Sequence, residues 1–179
     1  LPIRWLKTIY QIVKNGRNSD LIFVNGLGVE SAIAALMLKK KLIRKIVGDP
    51  VWERAYNQKK TSESFDEFQN NKHSFLIEVQ KLLRNWSVNS AEVVITPSDH
   101  LKNFVSELGF NNEILKINNG VDITDIKRTN VHKADINLLI ISRLVIQKNI
   151  NIVIEAMELL DNKNVKLSII GEGGEFNKL

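Results

Sequence analysis

The sequence predicts an α/β fold built on parallel sheets. Short apolar runs alternate along the chain with segments that repeat apolar residues at helical spacing. The run at 21–24 is continuously apolar, which is typical of a strand covered on both faces, and the run at 138–141 predicts a buried strand. Glycine or a turn signal follows most of these runs. This alternation favours strand–helix–strand units with right-handed crossovers.

The composition is that of a globular protein with a core. The chain has 179 residues, of which 44% are hydrophobic and 25% charged. It contains no cysteine, which excludes disulfides, thiolate metal sites and a cysteine nucleophile. No apolar segment reaches the roughly 20 residues that a membrane span needs, and no secretory leader opens the chain. We therefore expect a cytoplasmic protein.

The charge is basic, because 25 Lys and Arg residues outnumber 20 Asp and Glu residues and give a net charge of +5. This sign favours anionic ligands, an anionic membrane surface or nucleic acid. The densest basic patch is 39–41 with Arg44 and Lys45, interpreted either as a solvated helix end or as a site for a lipid headgroup or a polyanion. Basic strands with interleaved aromatic residues are missing, so we do not expect nucleic acid as a partner.

The first part of the chain reads as helices and strands in alternation. Asn15-Gly16 ends an opening helix at 1–14, and Pro97-Ser98 and Gly109 bracket a helix at 98–108. A core stripe on the helical segment 65–86 is predicted from Phe75, Val79, Leu82, Leu83 and Trp86. The other predicted elements are strands at 21–24, 45–47, 93–96 and 114–117 and a helix at 29–41.

The polar tract 122–135 lacks apolar periodicity and predicts a domain boundary, with one domain at 1–124 and linker and second domain at 125–179. After it come a strand at 138–141, a helix from Ile150, a strand at 165–170 and the start of a helix at 175–179.

Two cations lie in the loop between strand 138–141 and the helix that starts at Ile150. Arg143 and Lys148 follow the strand, where helix-start amides and positive side chains can converge on an anion such as phosphate. The next strand ends in Gly171-Glu172-Gly173-Gly174, and glycines at this edge let backbone approach a ligand. The alternative is that both cations are ordinary surface residues.

Four linked blocks carry a family resemblance: Val94-Ile95-Thr96-Pro97-Ser98, Ile117-Asn118-Asn119-Gly120-Val121-Asp122, Ile141-Ser142-Arg143-Leu144 with Gln147-Lys148, and Ile169-Ile170-Gly171-Glu172-Gly173. In order and spacing they resemble the family 4 retaining glycosyltransferases. The resemblance implies a GT-B fold, in which two Rossmann-like domains of parallel sheet bind donor and acceptor.

The resemblance also implies roles for residues of the second half. Arg143 and Lys148 would hold the diphosphate of a nucleotide-sugar donor, and the loop of Gly171, Glu172 and Gly173 would lie beside it. The nucleotide sugar is a co-substrate, so neither a cofactor nor a metal is expected. No catalytic residue is identified from the sequence.

Asn149 stands where the family commonly has glycine, and it tolerates the left-handed region better than most residues. A glutamate pair typical of the family would fall beyond Leu179. The first strand of the family's fold would come before the opening helix. We therefore expect both domains to be truncated here and this chain alone to be inactive. The donor sugar and base, the acceptor and the oligomeric state do not follow from the sequence.

Acceptor binding is expected in the first half. The candidates are Asn25, Gly26 and Gly28 after the strand at 21–24, and Asp49, Trp52 and Glu53 after the next strand. The resemblance suggests that the two carboxylates bind hydroxyls of a sugar or lipid-linked acceptor and that Trp52 stacks on a sugar face. The alternative is that Trp52 packs against its loop and Glu53 forms an ion pair.

Two other functions stay open at this point. Gly26-x-Gly28-x-x-Ser31, with Asp49 about twenty residues on, approaches the fingerprint of an NAD(P)-binding Rossmann oxidoreductase. A non-catalytic, basic anion-binding module would use the charge alone. For the transferase, we expect peripheral contact with an anionic membrane at its inner face.

Overall fold

The computed structural model describes residues 2–122, 136–160 and 164–179. It confirms an α/β protein with parallel sheets, consistent with Rossmann-like domains of GT-B type. One compact unit comprises 1–52 and 65–121, and a second comprises 53–64 and 122–179. The predicted boundary between residues 124 and 125 lies outside the described residues and stays a prediction.

Unit 1 is built on a four-stranded parallel sheet in the order β1-β2-β3-β4. Leu21 pairs with Lys41, Ile43 with Val93 and Val93 with Glu113, so the strands follow one another across the sheet as they do along the chain. The strands are Leu21–Asn25, Lys41–Lys45, Val93–Thr96 and Glu113–Lys116. The helices are α1 (Pro2–Gly16), α2 (Gly28–Leu38), α3 (Pro50–Asn57), α4 (Phe65–Asn70), α5 (Phe75–Asn89) and α6 (Asp99–Glu107), and the division between the two units falls within α3.

The core of unit 1 lies on one face of this sheet. Val24, Leu42 and Val94 face α2, α5 and α6 and are buried with small residues of α2 such as Ala32. Alternate residues point the other way, and Phe23 is 56% exposed. The expectation that strand 21–24 is covered on both faces is therefore wrong for the described part of the chain.

The end of α2 and the start of β2 both differ from the prediction, because Lys39 ends the helix early. Lys39 takes the left-handed conformation (φ 53°) and ends α2 at Leu38, three residues before the predicted end. The chain then turns and β2 forms at Lys41–Lys45, earlier than the predicted strand at 45–47. Pairing with β1 and β3 outweighs the low strand preference of lysine.

Helix α5 reverses the predicted core stripe. Phe75 and Leu82 are 80% and 68% exposed, and Trp86 is also exposed. Lys81 and Arg84 are buried instead. Lys81 Nζ donates to the carbonyls of Phe68 and Asn71, at 2.8 and 2.9 Å. Together with the contact of Arg84 with Asp49, these hydrogen bonds hold the polar side of the helix inward.

Unit 2 contains a two-stranded parallel sheet of β5 (Ile136–Ile141) and β6 (Val165–Ile170), in which Ile141 pairs with Ile170. A 3-10 turn at Ile146–Lys148 leads into α7 (Ile150–Glu158). The predicted helix at 175–179 is only a 3-10 turn, Phe176–Lys178.

The helices of the described residues are short. The longest, α1 and α5, have 15 residues each, compared with about 20 for a membrane span. Within this part of the chain, no helix has both the length and the hydropathy to cross a membrane.

Candidate functional site

Two loops at the carboxyl edge of the unit 2 sheet are joined by their backbones. The Ser142 amide donates to the Ile170 carbonyl at 3.0 Å, which extends the pairing of β5 and β6. The Leu144 amide then donates to the Glu172 carbonyl at 2.8 Å, and the Glu175 amide donates to the Leu144 carbonyl at 3.0 Å. The segment that carries Arg143 is thus fixed against the glycine segment 171–174.

Glycines 171 and 173 make this close approach possible. A Cβ at Gly171 would overlap the Ser142 carbonyl oxygen, and one at Gly173 would overlap the carbonyl oxygen of Leu144. A Cβ at Gly174 would meet nothing within 4 Å. The sequence suggested that these glycines let backbone approach a ligand; the structure shows that two of them let it approach the neighbouring loop.

Arg143 and Lys148 are both exposed at this edge. Neither side chain makes a hydrogen bond or ion pair with another residue in 2–122, 136–160 or 164–179. Buried Leu144 and Ile150 anchor the loop. Two solvated cations therefore stand on a fixed loop, and their convergence on one anion stays a prediction.

Asn149 takes the left-handed conformation (φ 49°) between the 3-10 turn and α7. The Asn149 side chain does not cap the helix, so its first amides have no side-chain acceptor from that position. The conformation is the one that glycine adopts most readily, which explains how asparagine serves there. Positive potential from the helix start adds to that of Lys148.

Gln147 is a polar residue of this loop that the sequence did not single out as a site residue. Its backbone amide lies 3.5 Å from Asn57 Oδ1. Its side-chain Oε1 is buried and has no hydrogen-bond partner among the described residues. A cavity of about 190 Å³ behind the loop is lined by residues that include Val145, Ile146 and Ile150, but not by Arg143 or Lys148.

In unit 1, Asp49 is at the centre of a buried polar network. Its Oδ1 accepts the Val51 amide at 2.9 Å and so caps α3, with Pro50 in the first helical position. Its Oδ2 accepts from Arg84 Nη1 and, at 3.1 Å, from Gln69 Nε2. Arg84 Nη1 also donates to Gln69 Oε1 at 2.9 Å. Both carboxylate oxygens are therefore engaged within the fold.

The other two candidates after β2 are less enclosed. Trp52 is half-buried and meets Phe65 edge-on, with ring centroids 5.6 Å apart. Glu53 is half-buried, and its side chain has no described hydrogen bond or ion pair. The contacts of Trp52 fit its expected packing, whereas the predicted acceptor roles of Asp49, Trp52 and Glu53 stay predictions.

The loop after β1 has an unusual backbone. Gly26 (φ 91°) and Leu27 (φ 45°) both have positive φ, and α2 starts directly afterwards at Gly28. The Arg44 guanidinium lies against Gly28, where a Cβ would overlap it. Asn25 and Gly26 are exposed, and the predicted contact of Asn25, Gly26 and Gly28 with an acceptor stays a prediction.

The two buried arginines differ in their counter-charge. Arg84 has Asp49 beside it; burial lowers the pKa of Arg84, and the Asp49 carboxylate opposes that shift. Arg44 is 8% exposed, and its Nη1 donates to Ser87 Oγ at 2.8 Å. Burial lowers the pKa of Arg44 to about 10. Among the described residues, no carboxylate lies within ion-pair distance of Arg44.

The structure brings together the loop of Arg143 and the loop of Gly171, Glu172 and Gly173, as predicted for neighbouring strand ends. In 2–122, 136–160 and 164–179, no three His, Asp or Glu side chains are grouped to hold a metal ion.

Comparison with known families concerns the same segment. Residues 122–179 match the family model of the Glycosyl transferases group 1. This match supports a glycosyltransferase. It includes Arg143, Lys148 and the glycine loop, whereas Asn25, Asp49 and Trp52 lie outside it. A search of curated proteins finds no significant match.

The first testable prediction concerns the two buried arginines. Replacing Arg84 with Met leaves the Asp49 carboxylate buried without its cation, and should lower the free energy of unfolding by about 3–5 kcal/mol. Replacing Arg44 with Met removes a charge without a described counter-charge, and should change it by less than about 1 kcal/mol. Urea unfolding followed by circular dichroism measures both. An equal loss of unfolding free energy in both variants would show that the counter-charge of Arg84 makes no difference to stability.

The second prediction concerns the glycine loop. Ala at Gly171 or Gly173 must push apart backbone atoms, which should cost about 1–3 kcal/mol and speed hydrogen exchange of the Leu144 amide. Gly174→Ala is the matched control and should change stability by about 0.5 kcal/mol or less. Unchanged exchange of the Leu144 amide in Gly171→Ala would show that the two loops are not tightly packed.

Proposed function

We propose that the chain is part of a glycosyltransferase that moves a sugar from a nucleotide-diphosphate donor to a hydroxyl acceptor. The reaction serves the synthesis of a glycan, polysaccharide or glycolipid. The observation that carries the proposal is the match of residues 122–179 to group 1 glycosyl transferases, because that segment contains the cationic loop and the glycine loop.

On the donor side, Arg143 and Lys148 would bind the diphosphate. Bond cleavage between sugar and phosphate leaves increasing negative charge on the diphosphate, so fixed cations stabilise the transition state more than the ground state. Two features support this role: both cations lack a described partner, and the loop between them is held by backbone hydrogen bonds. Gly171, Glu172 and Gly173 would lie beside the diphosphate at the same edge of the sheet.

On the acceptor side, unit 1 would supply the segment 25–28, Asp49 and Trp52, and Glu53 follows Trp52 directly along α3. Asp49 would act by positioning α3, because both of its oxygens are already engaged. Trp52 and Glu53 follow it on that helix and would provide the apolar surface and the carboxylate for a sugar or lipid-linked acceptor.

We further propose retention of anomeric configuration, hexosyl transfer and a reaction without a metal ion, all from the resemblance of the motifs. The protein would work in the cytoplasm at the inner face of a membrane. The oxidoreductase alternative needs a free acidic residue for the ribose, and Asp49 is enclosed by Arg84, Gln69 and Val51. No described contact favours a non-catalytic module.

The third prediction tests the donor loop in the active enzyme. Arg143→Ala or Lys148→Ala removes a preorganised cation and should lower turnover by about 10²–10³-fold. The assay follows release of nucleoside diphosphate from a panel of nucleotide sugars. A chelator in the same assay should leave the rate of the unmodified enzyme unchanged.

Lys102→Ala is the matched control, because Lys102 is an exposed lysine on α6 of unit 1. It makes the same change in net charge and should keep full turnover. Near-normal turnover in both donor-loop variants would remove the proposed mechanism, and turnover of nicotinamide cofactors instead of nucleotide sugars would favour the oxidoreductase.

A further inference from the structure

A cavity of about 310 Å³ lies in unit 1 beside helices α5 and α6. Residues of both helices line it, together with the segment 69–72 at the end of α4. Its volume is at the lower end of the roughly 300–1,000 Å³ that ligand pockets occupy. None of the residues proposed above for the donor or the acceptor lines it, so the transfer reaction gives it no role.

The wall of this cavity contains a buried guanidinium that still has a free donor. The Arg84 side chain is 8% exposed. Its Nε donates to Asn85 Oδ1 at 2.9 Å, and its Nη1 donates to Asp49 and Gln69. Arg84 Nη2 has no hydrogen-bond partner among the described residues, and it keeps contact with solvent. A ligand in the cavity can therefore accept from Nη2.

Other polar groups of the wall are also free to bind. The Glu107 carboxylate is exposed at the end of α6 and makes no hydrogen bond or ion pair with a described residue. Asn85 Nδ2 likewise has no acceptor in the described part of the chain. The wall thus offers donors and an acceptor side by side. Because a hydroxyl both donates and accepts, this mixture suits a ligand that carries several hydroxyls.

The charges around the cavity balance. Two cations of the wall are each paired with a carboxylate, in Lys81–Glu78 and Arg84–Asp49. The remaining charged residues of the wall are one cation, Lys72, and one anion, Glu107. An anionic or a cationic ligand would therefore meet a like charge without a net counter-charge. The cavity favours a ligand that is uncharged as a whole.

The cavity also has an apolar side. Leu82 of α5 is 68% exposed, and half-buried Leu108 lies just after the end of α6. Phe104 lines the cavity as well, with the Arg84 guanidinium 5.2 Å from its ring centroid. A sugar ring has hydroxyls at its edge and C–H groups on its faces, so it can use a polar wall and an apolar wall together.

The polar wall is held in place without a ligand. Lys81 Nζ donates to two carbonyls of the segment before α5, at 2.8 and 2.9 Å, and so fixes this segment against the helix. Gln69 and Arg84 both donate to Asp49 Oδ2, which fixes two more side chains of the wall. Groups that are already ordered lose little conformational entropy when a ligand binds.

We propose that this cavity binds a neutral saccharide. Arg84 Nη2 and Asn85 Nδ2 donate to oxygens of the sugar, and the Glu107 carboxylate accepts from its hydroxyls. A C–H face of the ring packs on Leu82 and Leu108. This binding goes beyond the proposed transfer reaction, because it uses neither the cationic loop of unit 2 nor the residues proposed for the acceptor.

The test is titration of the isotopically labelled 179-residue chain with glucose, galactose, N-acetylglucosamine, maltose and cellobiose, followed by NMR. At least one of these neutral sugars should shift the signals of 69–72, 84–85 and 104–108 together and saturate them. The Arg84 Nε–H signal should shift with them. The charged sugars glucuronate and glucosamine should both bind more weakly than the tightest neutral sugar.

Glu107→Ala removes the free acceptor and should weaken binding of that sugar about tenfold. Glu158→Ala is the matched control, because Glu158 is also an exposed glutamate at the last position of a nine-residue helix. It should bind as the unmodified chain does. Circular dichroism checks that both variants stay folded.

The absence of shifts at the cavity with every sugar would overturn the proposal, and so would unchanged binding by Glu107→Ala. Shifts confined to 25–28 and 49–53 would place the sugar at the residues proposed for the acceptor and would also overturn it. Each of these results leaves the turnover of nucleotide sugars untouched, so failure of this site and failure of the proposed function are distinguishable.

Discussion

The backbone contact between the two loops of unit 2 is the constraint on which the candidate donor site depends. Leu144 both donates to Glu172 and accepts from Glu175, so the loop after β5 and the loop after β6 act as one piece. This arrangement requires glycine at 171 and 173. Backbone hydrogen bonds hold the loop, so its rigidity does not depend on ion pairs of Arg143 or Lys148. Neither cation is paired with a described residue, so both charges are available to an anionic ligand.

Unit 1 uses a different device to hold its loops. A buried ion pair between Asp49 and Arg84, extended by Gln69, fixes the start of α3, and Arg44 packs under the start of α2. Buried charges are costly unless paired, so such a network gives orientation more than stability. In α5 the cations are buried and several large apolar residues are exposed. In α1, by contrast, the cations are exposed to solvent.

The strand–helix alternation follows from the apolar runs and the helical spacing, which predict the type of each element. Burial did not follow from them, because Phe23 of β1 and Ile141 of β5 are 56% and 73% exposed. The prediction failed at the end of α2 and along α5, because tertiary contacts overrode local preference. Pairing with β1 and β3 starts β2 at Lys41, and buried polar contacts turn Lys81 and Arg84 inward. Lys81, Arg84 and Ser87 recur at helical spacing and are buried. This polar stripe indicated the buried side of α5, but the more conspicuous apolar stripe was chosen instead. The partners of Asp49 come from distant segments, such as Arg84 35 positions away, and no local pattern predicts such a contact.

Arg143, Lys148 and the glycine loop are proposed to bind one diphosphate. Titration of a nucleoside diphosphate into the isotopically labelled protein, followed by amide NMR signals, measures this binding residue by residue. Signals from 143–149 and 171–173 should shift together and saturate at one ligand concentration, and Arg143→Ala should weaken the binding. Shifts confined to the loop at 25–28, with the signals of 143–149 unchanged, would contradict it.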